Sequence, residues 1–92
     1  MIKNFKYKGL WLIYESDTSN YIIPQHITRV REIIALLETA ETVEDMDLPG
    51  LGLHPIKDKK KDTWAVNVNG NWRITFKIQN GDAFDLNYEE HH

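Results

Sequence analysis

Ninety-two residues, 41% hydrophobic and 27% charged, describe an ordinary globular chain, long enough to bury a core unaided and expected to form a single domain over 1–92. The absence of cysteine excludes disulfides and thiolate metal sites. No apolar run reaches the roughly eighteen residues of a membrane span, and "MIKNFKYKGL" lacks the apolar centre of a signal peptide, so a cytoplasmic protein with no membrane partner is expected.

The net charge of −3 argues at first against nucleic acid. Its distribution says otherwise. Six of the fourteen acids (Glu32, Glu38, Glu41, Glu44, Asp45 and Asp47) fall within residues 32–47, which hold no Lys or Arg; the remainder carries eleven basic and eight acidic side chains, or +3. A basic working face therefore remains available elsewhere. The acidic stretch is read as solvated, with docking of a basic partner as the other option.

In chain order, "IKNF" is ambiguous but compatible with a short strand. "KYKGLWLIY", with Leu10, Leu12, Ile13 and Tyr14, predicts a short helix. After the polar break "SDTSNYI", Pro24 suits the first residue of a helix. Ile27, Val30, Ile34 and Leu37 then recur at helical spacing, widened by Ile33 and Leu36. "TVED" has the form of a capping box for one further turn.

From Leu51 the period becomes two. Trp64, Val66 and Val68 alternate with Thr63, Ala65 and Asn67. Trp72, Ile74, Phe76 and Ile78 alternate with Arg73, Thr75 and Lys77. Phe84, Leu86 and Tyr88 alternate with Ala83, Asp85 and Asn87. The turns "NGN" and "NGD" between these runs are hairpin signals. The expected fold is α+β: two N-terminal helices packed on one face of a small, mainly antiparallel sheet. The other face is expected to be polar and open, displaying Arg73, Thr75, Lys77, Asp85 and Asn87.

Three places can carry chemistry. In "LHPIKDKKKDTW", Pro55 biases His54 towards extended backbone, and Lys57, Lys59, Lys60 and Lys61 follow. This is either a solvated loop or a histidine titrating near neutrality beside phosphate-attracting cations. Arg73, on a central strand, is either a bidentate phosphate ligand or the partner of a cross-strand acid such as Asp85. The terminal "NYEEHH" brings together Glu89, Glu90, His91 and His92. It can be read as a polar fray or tag remnant, as a zinc site completed by His54, though without HExxH spacing, or as acid–base machinery. Metal-free RNA cleavage needs a base for the ribose 2′-hydroxyl, a cation for the phosphorane charge and an acid for the leaving 5′-oxygen.

"MIKNFKYKGL", "LPGLGLHPIK" and "NGNWRITFKIQNGDAFDLNYEEHH" together resemble the HigB toxins of the RelE/ParE superfamily, over essentially the whole chain. The resemblance implies a type II toxin acting as a ribosome-dependent endoribonuclease on A-site codons, without metal or other cofactor. Its partners would be the 30S A site with mRNA and a HigA-type helix-turn-helix antitoxin, with no DNA binding by the toxin alone. The family's LHPxK histidine and lysine fall on His54 and Lys57, and the arginine of NWR on Arg73. The terminal triplet, usually Asp-Tyr-His, reads Glu90, His91, His92 here, which turns the reading of the tail from remnant to site. The implied roles are proton transfer for His92 and Glu90, proton transfer or leaving-group support for His54, and phosphate stabilisation for Arg73 and Lys57. His91 would stack on a base, and Lys59, Lys60 and Lys61 would meet ribosomal RNA. Glu90 in place of Asp adds a methylene, and His91 in place of Tyr adds a group titrating near neutrality. A ParE-like inhibitor that binds gyrase without cutting RNA, or a decayed toxin held by its antitoxin, is the alternative; a zinc protein is the third.

Overall fold

The structure is a computed structural model, and it describes residues 1–57 and 62–91. Its elements follow the predicted order. α1 spans Lys8–Ser16; a 3₁₀ turn at Pro24–His26 leads into α2, Ile27–Thr39. Proline at the first position costs nothing there, because that N–H has no intrahelical acceptor. A further 3₁₀ turn covers Val43–Met46 and carries the anticipated capping box, with Asp45 Oδ2 accepting the backbone N–H groups of Glu41 at 2.9 Å and Thr42 at 3.1 Å. Those two bonds hold the Asp45 carboxyl below the usual carboxylate range.

The strands are β1 (His54–Pro55), β2 (Trp64–Asn69), β3 (Trp72–Gln79) and β4 (Asp82–Glu90), in the antiparallel order β1-β2-β3-β4. The β3–β4 hairpin turns through Asn80 and Gly81, at φ 53° and 83°. Two consecutive positive φ values give the tight turn whose twist matches its strands, and Asn-Gly tolerates them best.

Leu10 and Ile13 of α1, together with Val30, Ile33, Ile34 and Leu37 of α2, join Val66, Ile74, Phe76 and Leu86 of the sheet in one buried cluster. Fully burying side chains of this kind stabilises by about 1.5–3 kcal/mol each.

Two expectations need correction. Phe84 does not share a face with Leu86 and Tyr88. The β3–β4 register shifts between Thr75 and Lys77, so that Thr75 pairs with Asn87 but Lys77 pairs with Phe84. Asp85 takes up the extra residue in left-handed backbone, at φ 58°. Such a bulge reverses the alternation, placing Ala83 in the core and Phe84 beside Lys77. The second concerns the polar face, which is not open at its centre: Ala65, Arg73 and Thr75 are buried. There the neighbouring side chains bond across the sheet surface instead of extending into solvent.

The ambiguous "IKNF" segment lies alongside β4 in parallel, through bridges Ile2–Ala83 and Phe5–Leu86. Asn4 fastens it at the bulge, its Nδ2 donating to Asp85 Oδ1 (2.8 Å) and its Oδ1 accepting the Asp85 N–H (3.0 Å). Glu38 of α2 fastens the other end, accepting the Ile2 N–H at 3.0 Å and the Tyr14 hydroxyl at 2.7 Å. Two members of the acidic stretch, Glu38 and Asp45, therefore have structural partners.

Candidate active site

Strand pairing builds the site row by row. His54 pairs with Ala65, Ala65 with Thr75, and Thr75 with Asn87; Asn67 pairs with Arg73, and Arg73 with Glu89. Directly paired residues project to one side of a sheet. His54 and Arg73 thus lie in adjacent rows on the face opposite the core. Lys6, Thr63, Thr75, Lys77, Asp85, Asn87 and Glu89 line a shallow depression of about 50 Å³ on this face.

Arg73 is buried and paired, though not with Asp85. Its Nε and Nη2 both donate to Glu89 Oε2, at 3.0 and 2.7 Å, while Asn87 Nδ2 donates to Glu89 Oε1 at 3.1 Å. Asp85 lies 3.8 Å from Lys77 instead. An ionic pair with little water around it is held more firmly than a surface pair. The guanidinium is thus fixed in direction, and one face of the sheet carries a positioned cation whose charge Glu89 balances.

The His54 ring has a defined tautomer. Its Nδ1 lies 2.8 Å from the Gly52 carbonyl. A carbonyl only accepts, so Nδ1 is the donor, and in the neutral ring Nε2 presents a lone pair. Among the described residues Nε2 has no hydrogen-bond partner. The arrangement is that of a base, or of an acid once Nε2 is protonated.

The tail separates into two sides. Glu89 lies beside Arg73, whereas Glu90 pairs with Trp72 and so projects from the opposite side of β4. The His91 N–H donates to the Asn71 carbonyl at 2.7 Å, prolonging the β3–β4 ladder by one step. Lys57 is exposed. The expectations for Lys59, Lys60, Lys61 and His92 lie outside the described residues. The structure thus brings His54 and Arg73 to one face, joins Glu89 to them, and leaves Glu90 across the strand.

Beneath Glu90 sits a group that the sequence reading passed over. Trp72 stacks on Tyr88 with ring centroids 4.6 Å apart. Buried His26 places Nδ1 2.7 Å from the Tyr88 hydroxyl, which also accepts the Ile23 N–H at 3.4 Å. Burial pushes the Tyr88 hydroxyl pKa up, so it keeps its proton. This aromatic block fixes the end of β4 from which the tail leaves. The signal for Glu89 was present in the period-two pattern one step beyond Asn87; nothing local marks His26.

A larger groove of about 450 Å³, lined by Lys3, Phe5, Lys6, Lys8, Trp11 and Tyr14 among others, lies between the N-terminal segment and α1, and shares only Lys6 with the depression above. Among the described residues, no three His, Asp or Glu side chains come together as metal ligands, and no helix is long and apolar enough to cross a membrane.

Comparison with known proteins agrees with this architecture. The family model for HigB-like toxins, described as RelE-like toxins of the type II toxin–antitoxin system HigB, matches residues 3–92. The Endoribonuclease HigB of Proteus vulgaris is 38% identical over 92 residues, the whole of both chains. With a family model and a full-length relative both matching across the chain, the protein belongs to the HigB-like family of RelE-like toxins of type II toxin–antitoxin systems.

Proposed function

We propose that this toxin is a ribosome-dependent mRNA endoribonuclease that cuts A-site codons by acid–base chemistry without a metal. One observation carries the reading: His54, whose Nδ1 donates to the Gly52 carbonyl, shares a face with the fixed guanidinium of Arg73. The name of the Proteus vulgaris relative supports an activity on RNA.

In the reaction, a base removes the 2′-hydroxyl proton and O2′ attacks the adjacent phosphorus. The phosphorane charge is met by Arg73 and Lys57. The 5′-oxygen then leaves with a proton from an acid, giving a 2′,3′-cyclic phosphate and a 5′-hydroxyl. General acid and general base each supply roughly 10² to 10⁴ in rate, and a positioned cation adds on the order of 10² to 10³. His54 and His92 share the proton transfers, Glu90 being left out of them because it leaves β4 on the opposite side, and His91 stacks on or orients the base. Lys59, Lys60 and Lys61 meet ribosomal RNA. Residues outside 32–47 sum to +3, a weak attraction that makes the ribosome the agent of substrate positioning.

The partner is a HigA-type helix-turn-helix antitoxin, which carries the DNA contacts of the complex, and the compartment is the cytoplasm. The test is cleavage of mRNA on programmed ribosomes with and without a chelator. Rapid cutting unaffected by chelation supports the reading. An intact message with gyrase-linked DNA damage in expressing cells would replace it with a ParE-like mode.

A further inference from the structure

We propose that Arg29, on α2, is a positioning residue that fixes the His54 tautomer through the 50–52 loop. The inference rests on the reading of His54 as an acid–base group.

β1 begins only at His54, which pairs with Ala65, so the edge of β2 at Asn67 has no strand beside it. The loop takes that place: the Asn67 N–H donates to the Leu51 carbonyl at 2.7 Å. The N–H and C=O of one strand residue point to the same edge, and Arg29 meets the Asn67 carbonyl there. Its Nε donates to Asn67 O at 3.3 Å and its Nη2 donates to Gly50 O. One planar fork thus ties strand and loop at a set spacing, which the single ammonium of lysine cannot do from one atom.

Gly52 lies between these clamps and His54. It sits at φ +61°, so close to Asn67 that a Cβ would come within 2.3 Å of Nδ2. Its carbonyl is the acceptor of His54 Nδ1–H. The direction of that carbonyl selects the tautomer, and the Arg29 fork sets the loop from which it projects. With the loop released, nothing selects Nδ1–H and the proton redistributes onto Nε2, the atom needed as base.

The test combines nitrogen NMR of the His54 ring with single-turnover cleavage on programmed ribosomes, for the wild type, Arg29→Met, Arg29→Lys and His54→Ala. The expected wild-type spectrum shows Nδ1–H. Arg29→Met should give mixed tautomers. Its cleavage rate at saturating toxin should fall on the order of tenfold to a hundredfold with half-saturation unchanged, and Arg29→Lys should recover part of both. A purely structural role would lower the melting temperature yet leave the tautomer and the pH–rate profile as in the wild type; that result would overturn the proposal, as would a wild-type His54 protonated on Nε2. Full cleavage by His54→Ala would overturn the catalytic reading beneath it, and is distinguishable because the NMR result is independent of activity.

Discussion

Arg73 and Glu89 are joined by two hydrogen bonds to a single oxygen, Nε at 3.0 Å and Nη2 at 2.7 Å from Oε2, across strands β3 and β4. A phosphate reaching Arg73 therefore competes with, or sits beside, a carboxylate already in place. Glu89→Gln should leave the guanidinium charged and uncompensated. The expected outcome is tighter RNA binding with a loss of stability of about 2 kcal/mol, below the range for fully buried pairs because Glu89 retains some exposure. Denaturant melts and half-saturation in cleavage assays measure the two effects. Unchanged half-saturation would separate Arg73 from phosphate binding.

Arg73→Ala removes the cation and leaves Glu89 without it. Cleavage should fall at least on the order of 10²-fold, and Arg73→Lys should restore little, since an ammonium cannot make the paired donation. Single-turnover rates at saturating toxin decide this.

The Glu38 carboxylate receives the Tyr14 hydroxyl and the Ile2 N–H, which hold its pKa below the usual glutamate value. A lowered folded-state pKa stabilises the fold above the unfolded pKa, and that contribution fades as pH falls through the folded value. Glu38→Gln should therefore flatten the acid limb of the stability profile. Tyr14 shows the opposite sign: Glu38 pushes its pKa up to about 12, so its contribution is present below pH ~10 and lost as pH rises towards 12. Ultraviolet titration of tyrosinate in Glu38→Gln should bring that midpoint back towards the ordinary value.

Tyr88→Phe keeps the stack on Trp72 but removes the oxygen shared by His26 and Ile23. Leaving a buried donor or acceptor unmet costs about 1–3 kcal/mol, so the unfolding free energy measured in denaturant should fall by that amount. A change within experimental error would mean that His26 finds another partner.

Gly52→Ala places a side chain at φ +61° and against the Asn67 amide. Strain of this kind costs about 1–3 kcal/mol. The His54 ring signals should shift in the same variant, because the displaced carbonyl is their acceptor. Shifts confined to Asn67 would show that the amide yields and the loop does not.

Much of this fold was legible because its cues are local. Apolar spacing marked α2, Thr42 and Asp45 marked the capping box, and two Asn-Gly turns marked the hairpins. The bulge at Asp85 was not legible: it needs left-handed backbone at a residue that alternation treats as one more polar step, and it moved Phe84 to the polar face. The parallel pairing of residues 2–5 with β4 joins segments some eighty positions apart, and no local period encodes it. In the site, strand parity put Arg73 on the polar face, and parity carried one residue further would have matched Glu89 with it. His54 joins that face only through the β1–β2 pairing with Ala65, which no alternation around His54 signals. The support under His54 was hidden, because Arg29, Gly50 and Gly52 meet only through backbone carbonyls, which sequence does not distinguish.

Reverse-transcription mapping of an mRNA on programmed ribosomes, with wild-type toxin, His54→Ala, Arg73→Ala and a chain lacking His92, tests the central claim most directly. The account predicts wild-type cuts confined to the A-site codon and strongly reduced in all three variants. Full activity in His54→Ala and Arg73→Ala, or an intact message with wild-type toxin, would contradict it.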